Sequence, residues 1–469
     1  MLAPPARLRS PRLALALILA ATVGAYLPAL TAPLYLDDYF YLLAARELSF
    51  ADYARAAFTP WGNEPLLPFT RDFWRPLAFL SFELLQPLFG GRPLPYHLLL
   101  LGAHLATVVL TWALADWLDR RPGTRILAAA VVALHPASTE AVAWISSVNS
   151  AALPLALAAW LLFLRATEAP RPRCRLVAAS AFVFALAAMT REGAWVIIPA
   201  LVGWHILVTR RGALAARETW LPLVPFAVLA ALYVLVRTRG FTEPLSNRAI
   251  FDYGDHVWAN LPYYLGRAVV PFREPTAGWR LTLQEWSAPL VPAAIVALVA
   301  LRRPRPALLL AAFVLSLFSV APNLLGVGPR YLYFSIPLLA LGGAIALADL
   351  AEGRPWLRRA SSAAAPAVVV LGVVGAALVV DSRVAHWRES GPDLQQAWVE
   401  ALQAVYPDLP EGATLYCAGN VPPLLTIFDG INLGPAVRWY YPAAAGAVYL
   451  PPGAEPPVLG PADRVFIAP

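Results

Sequence analysis

The sequence predicts an α-helical membrane protein that crosses the bilayer many times and carries a small C-terminal α/β domain, and three observations predict it. Hydrophobic residues fill 59% of the 469 positions and charged residues only 14%, a balance that a soluble core does not absorb. The apolar residues gather in long runs separated by short arginine clusters, as in a polytopic bundle with positively charged cytoplasmic loops. Beyond Asp381 the runs give way to one amphipathic stretch and two short β-type stretches.

Charge and residue usage exclude several classes. The net charge of +7 does not mark a nucleic-acid binder, because the arginines punctuate the apolar runs and do not line one face. No lysine occurs anywhere in the chain. A P-loop, a Schiff-base lysine and a lysine general base are therefore excluded, and phosphate contacts fall to arginine, histidine, hydroxyls or backbone. The two cysteines, Cys174 and Cys417, fall on opposite sides of the membrane in the topology below and cannot pair within one chain.

In chain order, Arg7, Arg9 and Arg12 precede an apolar run from Leu13 to Leu30, read as an uncleaved first helix with a cytoplasmic N-terminus. Arginine clusters then recur at every second loop: Arg120, Arg121 and Arg125; Arg165, Arg171, Arg173 and Arg175; Arg210, Arg211 and Arg217; Arg302, Arg303 and Arg305; Arg354, Arg358 and Arg359. Between them lie apolar stretches at 95–118, 125–135, 149–164, 176–190, 193–208, 219–237, 287–301, 306–321, 330–350 and 363–381. With the first run this makes about eleven transmembrane helices in a cytoplasmic membrane, N-terminus inside and C-terminus outside. Pro76–Phe89 and Val257–Pro271 are apolar but short, and are assigned to helices lying in the outer interface. Two domains follow: a transmembrane domain, 1–381, and a small outer α/β domain, 382–469. In the second, Leu394, Trp398, Leu402 and Val405 share a helical spacing, and Thr414–Ala418 and Arg464–Ala468 read as strands.

This topology puts the unusual polar residues on the outer side. Foremost is Leu36-Asp37-Asp38-Tyr39, an acidic pair where the chain leaves its first helix. Carboxylates at the mouth of an apolar bundle cost roughly 2.5 to 3.5 kcal/mol apiece, which argues for a use; the plain alternative is a solvated loop. The other outer residues are Asp52, Glu64, Arg71, Asp72 and Arg75, the segment His135–Asn149, and the turn Thr190-Arg191-Glu192-Gly193. The loop 238–286 and the segment Asn323–Arg330 complete the set.

Several of these stretches together resemble a known family. His135-Pro136-Ala137-Ser138-Thr139-Glu140-Ala141-Val142-Ala143-Trp144, followed by Asn149-Ser150-Ala151, is similar to the signature of the transmembrane O-mannosyltransferases that carry tetratricopeptide repeats, and of their bacterial relatives. Asp37-Asp38, Arg75-Pro76-Leu77, Arg191-Glu192 and Arg330-Tyr331-Leu332-Tyr333 match further elements of that family in order, over residues 12–390. The resemblance implies a type C glycosyltransferase fold and a polyprenyl-phosphate-linked sugar donor. No tetratricopeptide array follows the last helix, which leaves the acceptor open among protein, glycan and lipid.

The residues suit that chemistry. Transfer of a mannose-like hexose to a hydroxyl, with inversion, needs a carboxylate to accept the proton and cations to hold the leaving phosphate. Asp37 or Asp38 supplies the first. Asp37 is favoured, because the first helix fixes the chain to about Tyr35 whereas Asp38 is expected to lead into a loop. Arg330 is read either as the phosphate contact, through its planar fork, or as an interfacial anchor beside Tyr331 and Tyr333. Arg191-Glu192 is read as a self-neutralising pair or a substrate contact. Glu140 is read as a brace of the 135–150 loop with His135 as a hydrogen-bonded structural partner, or both as groups that act on the substrate, and His135, Glu140 and Arg75 join the candidate substrate-binding residues. His97 and His104 share one helix face without the carboxylates of a metal site. No cofactor is called for, and two adjacent carboxylates are too few ligands to argue a divalent cation. The partners expected are the lipid-linked sugar, its acceptor and membrane lipids, with no nucleic acid. The competing class is a transporter or flippase of a lipid-linked or anionic substrate, whose ionisable residues would gather at the midplane instead.

Overall fold

The computed structural model of the chain describes residues 11–59, 66–67, 74–147, 149–240, 254–270, 285–321, 328–352, 355–422, 425 and 433–468. In chain order the first helices are α1 Pro11–Tyr26, α2 Asp38–Glu47, α3 Phe50–Phe58, α4 Pro76–Phe89 and α5 Pro93–Asp119. Next come α6 Pro122–Leu134, α7 Thr139–Ala143, α8 Asn149–Thr167, α9 Cys174–Thr190, α10 Ile197–Trp204, α11 Arg217–Trp220, α12 Val224–Gly240 and α13 His256–Val269. The last are α14 Leu290–Ala300, α15 Pro304–Leu317, α16 Ile336–Glu352, α17 Pro355–Ser390, α18 Pro392–Val405 and α19 Leu433–Tyr440. Three strands, β1 Thr414–Gly419, β2 Gly446–Tyr449 and β3 Arg464–Ala468, lie near the C-terminal end.

Among the described residues, six stretches are long and apolar enough to cross a bilayer: Pro11–Thr31, Pro93–Asp119, Ile145–Thr167, Glu192–Thr209, Arg217–Val236 and Val370–Val405. A seventh arises if Pro122–Leu134 and Pro136–Ala143, bent by 44°, form one span. Of about eleven expected spans, some already shorter than a full crossing in sequence, six or seven among the described residues are long and apolar enough to cross. Helices do occupy the expected positions, but Cys174–Thr190, Glu285–Ala300 and Pro304–Leu317 are apolar and shorter than a span. Proline sets several of these limits, since it cannot donate to the helix ladder and restricts the residue before it. Pro136 follows the end of α6, and Pro329 opens a 3-10 turn, Pro329–Leu332, so that α16 starts only at Ile336.

The chain forms two compact units. The first comprises residues 1–27, 99–143 and 147–383. It is a helical assembly in which α8 packs on α9, and α16 packs on both α6 and α15. Small residues permit close approach, as expected of helices in lipid: a Cβ on Gly342 of α16 would meet the Leu310 side chain of α15 at 3.0 Å. Ser180 donates to the Ala159 carbonyl at 2.6 Å, crossing from α9 to α8. Arg121 bridges Asp119 at the end of α5 and Asp349 on α16, at 2.8 and 2.6 Å.

The second unit comprises residues 28–98, 144–146 and 384–469. Its sheet is parallel with order β2-β1-β3, pairing Thr414 with Gly446 and Leu415 with Arg464. The two expected strands lie where the sequence puts them, while β2 and α19 had no expectation. Helix α18 covers the sheet, with Trp398 edge-on to Phe466 at 5.8 Å. Its buried face is Gln395, Trp398, Val399 and Leu402, whereas Leu394 and Val405 are 50% and 58% exposed. The face is thus rotated from the expected Leu394/Trp398/Leu402/Val405 stripe, because a polar glutamine occupies a core position. Gly419 closes β1 at φ +80, and any Cβ there would collide with the Ala468 carbonyl. Helix α17 runs unbroken through 381–382, from Pro355 to Ser390.

The segment after the first span is helical. Asp38, expected to lead into a loop, is the first residue of α2. A carboxylate in a first turn faces the positive end of the helix dipole, which favours that start. Ser49 then caps α3, accepting from the Asp52 N–H at 3.2 Å.

Candidate active site

The acidic pair is built by a strained turn. Leu36 adopts φ +48, a left-handed conformation that crowds the Cβ of an L residue. Its N–H donates to the Gln395 Oε1 at 3.2 Å. The turn closes through the Asp38 N–H to the Tyr35 carbonyl and the Tyr39 N–H to the Leu36 carbonyl, both 3.1 Å. Asp37 is half-buried and does not cap α2 through its side chain.

Asp38 is only 1% exposed. One oxygen accepts from the Tyr35 N–H at 2.9 Å and the other from the Ser146 N–H at 2.8 Å. Trp144 Nε1 donates to the Tyr35 carbonyl at 3.3 Å, and the Tyr35 ring lies against Trp144 and Trp387 with centroids 5.7 and 5.9 Å away. Burial pushes the Asp38 carboxyl up to about 7; the two backbone N–H groups oppose that rise and the charge of Asp37 adds to it. The two acids therefore differ in kind: Asp38 ties two backbone segments together, and Asp37 is the more accessible group. Arg75, at the residue before α4 in the same unit, is buried.

The first unit holds the other cluster. Arg330 Nη1 meets Glu140 Oε2 at 2.7 Å, Nη2 donates to the Tyr331 hydroxyl at 3.3 Å, and the guanidinium lies 4.9 Å from the Tyr331 ring centroid. The pair joins α7 to the 3-10 turn before α16. His135 Nδ1 accepts from the Ala137 N–H and Nε2 donates to the Ala268 carbonyl, both at 3.2 Å, so its ring closes the start of the His-Pro segment. Arg383 donates to the Pro136 carbonyl at 3.2 Å. Arg191 donates to the Ser147 carbonyl, and Glu192 opens the 3-10 turn Glu192–Val196. A side chain on Gly193 would strike the Phe334 ring, so this turn packs tightly on the Arg330–Phe334 entry. The structure thus brings Glu140, His135 and Arg330 into one neighbourhood, with Arg191 anchoring Ser147.

His104 donates from Nε2 to the Ala133 carbonyl and accepts at Nδ1 from the Tyr333 hydroxyl, at 3.1 and 2.9 Å. His97 donates to the Ala32 carbonyl at 3.1 Å. Both serve packing. Among the described residues no group of three or more His, Cys, Asp or Glu could hold a metal ion. Glu64, Arg71, Asp72 and Asn323 lie outside the described residues. Sequence reasoning missed Ser146, Gln395 and Arg383. Gln395 carried a signal, a polar residue at i of an apolar i, i+3, i+4, i+7 face.

The fold is one already seen in crystals. It resembles ArnT from Cupriavidus metallidurans in the apo state, with a TM-score of 0.53 over 93% of this chain and 85% of that one, at 14% identity. ArnT bound to undecaprenyl phosphate gives 0.51 over the same shares at 16% identity. At such identities the likeness shows the fold alone. In sequence, 123 residues are 36% identical to the Drosophila melanogaster Protein O-mannosyl-transferase Tmtc1, matching 25% of this chain and 14% of that relative's length. No protein-family model matches the chain.

Proposed function

We propose that the chain is a membrane glycosyltransferase that moves a mannose-like hexose from a polyprenyl-phosphate carrier to an acceptor hydroxyl, with inversion, at the outer face of a cytoplasmic membrane. The observation that carries this reading is the difference in burial and bonding within the acidic pair: a half-buried Asp37 on a strained turn, beside a buried Asp38 whose two oxygens each accept a backbone N–H. Support comes from the fold it shares with ArnT, solved with undecaprenyl phosphate, and from the partial likeness to an O-mannosyl-transferase.

In the proposed reaction the acceptor oxygen attacks the anomeric carbon as the bond to the phosphate oxygen breaks. Asp37 accepts the hydroxyl proton, and polyprenyl phosphate leaves. Arg330 meets the departing phosphate, its fork pre-aligned by Glu140 and Tyr331. Arg191 and Glu192 shape the turn, His135 holds the His-Pro segment, and the buried Arg75 before α4 is a further substrate-binding group. The step as drawn calls for no cofactor. The acceptor is a protein, glycan or lipid hydroxyl. General-base removal costs about 10² to 10⁴ in rate, so Asp37→Asn should fall by that factor while donor binding persists. A donor that is moved across vesicles and never cleaved would instead identify a transporter.

A further inference from the structure

We propose that Gln395 is a positioning residue for the acidic pair, so that the C-terminal segment sets the geometry of the proposed base through Leu36, 359 positions away in sequence. This rests on the transferase reading above. Three non-glycine residues among those described have positive φ: Leu36, Arg120 and Arg302. Arg120 and Arg302 follow helix ends, where a left-handed residue is an ordinary terminator. Leu36 instead precedes a helix and aims the two residues after it. The conformation persists only where surroundings over-determine it, and Gln395, 1% exposed, supplies the acceptor for its N–H.

The same segment holds α2 at further points. Gly391, just before α18, leaves room for the Tyr35 hydroxyl, which would stand 2.7 Å from any Cβ there. Tyr39 and Tyr440 share a hydroxyl contact of 2.9 Å. At the far end, Arg46 donates to the Arg438 and Trp439 carbonyls at 3.0 and 3.2 Å with its guanidinium over the Trp439 ring, and Arg438 pairs with Glu47. Helix α2 is thus fixed at both ends, and Gln395 is the tie that acts on the turn bearing the acids.

The test uses the full-length protein in detergent micelles. Gln395→Leu keeps the bulk and removes the acceptor, so kcat should fall about tenfold with the donor KM within twofold. Adding Leu36→Gly, which adopts φ +48 freely, should restore at least half of the loss. Hydrogen exchange at the Leu36 amide should rise in Gln395→Leu while amides in the middle of α2 keep their protection. If Gln395→Leu does not fold, Leu36→Val serves, since a β-branched residue resists the left-handed region and should show the same kcat loss. Unchanged exchange at Leu36, no rescue by glycine, or full activity of Leu36→Val would each overturn the proposal. A parent protein without transferase activity would sink the functional reading, and the exchange result would still decide the role of Gln395.

Discussion

At the residue scale the acidic pair divides into a half-buried Asp37 and a buried Asp38 held by backbone N–H groups. Asp38 accepts two backbone N–H groups, and asparagine has one carbonyl oxygen with which to replace two acceptors. Asp38→Asn should therefore destabilise the fold by about 1 to 3 kcal/mol, and Asp37→Asn, at a half-buried position, by less; thermal unfolding in detergent compares them. The pH dependence has a definite sign. Burial holds the folded-state Asp38 carboxyl above the ordinary carboxylate range, at about 7, so between roughly pH 4 and 7 the folded state binds more protons than the unfolded one. Stability from this group falls as pH rises through that window, and Asp38→Asn should flatten that part of the profile. The pair itself was legible in sequence, because two acids next to a long apolar run stand out. Its partners were not: Ser146 and Gln395 lie 108 and 359 positions from the residues they bond, and no spacing rule connects them.

At the element scale, the His-Pro segment and the turn before α16 are joined by the Arg330–Glu140 pair. If Arg330 also meets phosphate, Arg330→Ala loses a charge-assisted contact of about 1.5 to 3 kcal/mol. Donor affinity should then drop roughly tenfold to a hundredfold, and Arg330→Lys should not restore it, since a point charge lacks the fork geometry. Affinity within threefold of the parent would leave Arg330 as a brace only. The helices of this region were readable from hydropathy, with expected stretches such as 176–190 and 306–321 lying close to the observed Cys174–Thr190 and Pro304–Leu317, whereas the 3-10 turn Pro329–Leu332 that delays α16 to Ile336 was not. In the C-terminal segment the strands rich in aromatic and β-branched residues, such as Arg464–Ala468, announced themselves. Gly446–Tyr449 did not, since it is four residues long and is flanked by alanines and prolines.

At the scale of the whole molecule, the alternation of arginine clusters predicts which loops face outward. The native cysteines make this measurable. Cys174 is exposed within an arginine cluster and Cys417 is buried, so an impermeant thiol reagent on intact cells should leave the parent unlabelled. Ser390→Cys, at an exposed position, should label. Labelling of Cys174 alone in intact cells would reverse the orientation. A likeness to ArnT at 14% identity shows a shared fold alone, so activity has to be read from the residues rather than from the fold.

The most direct measurement of the central claim is single-turnover sugar transfer by the purified full-length protein given a radiolabelled polyprenyl-phosphate-linked hexose and a panel of protein, glycan and lipid acceptors. The reading predicts release of polyprenyl phosphate with label appearing on one acceptor class, and a rate about 10² to 10⁴ lower in Asp37→Asn with donor binding intact. Donor that binds and is never cleaved, or an Asp37→Asn protein as fast as the parent, would contradict it.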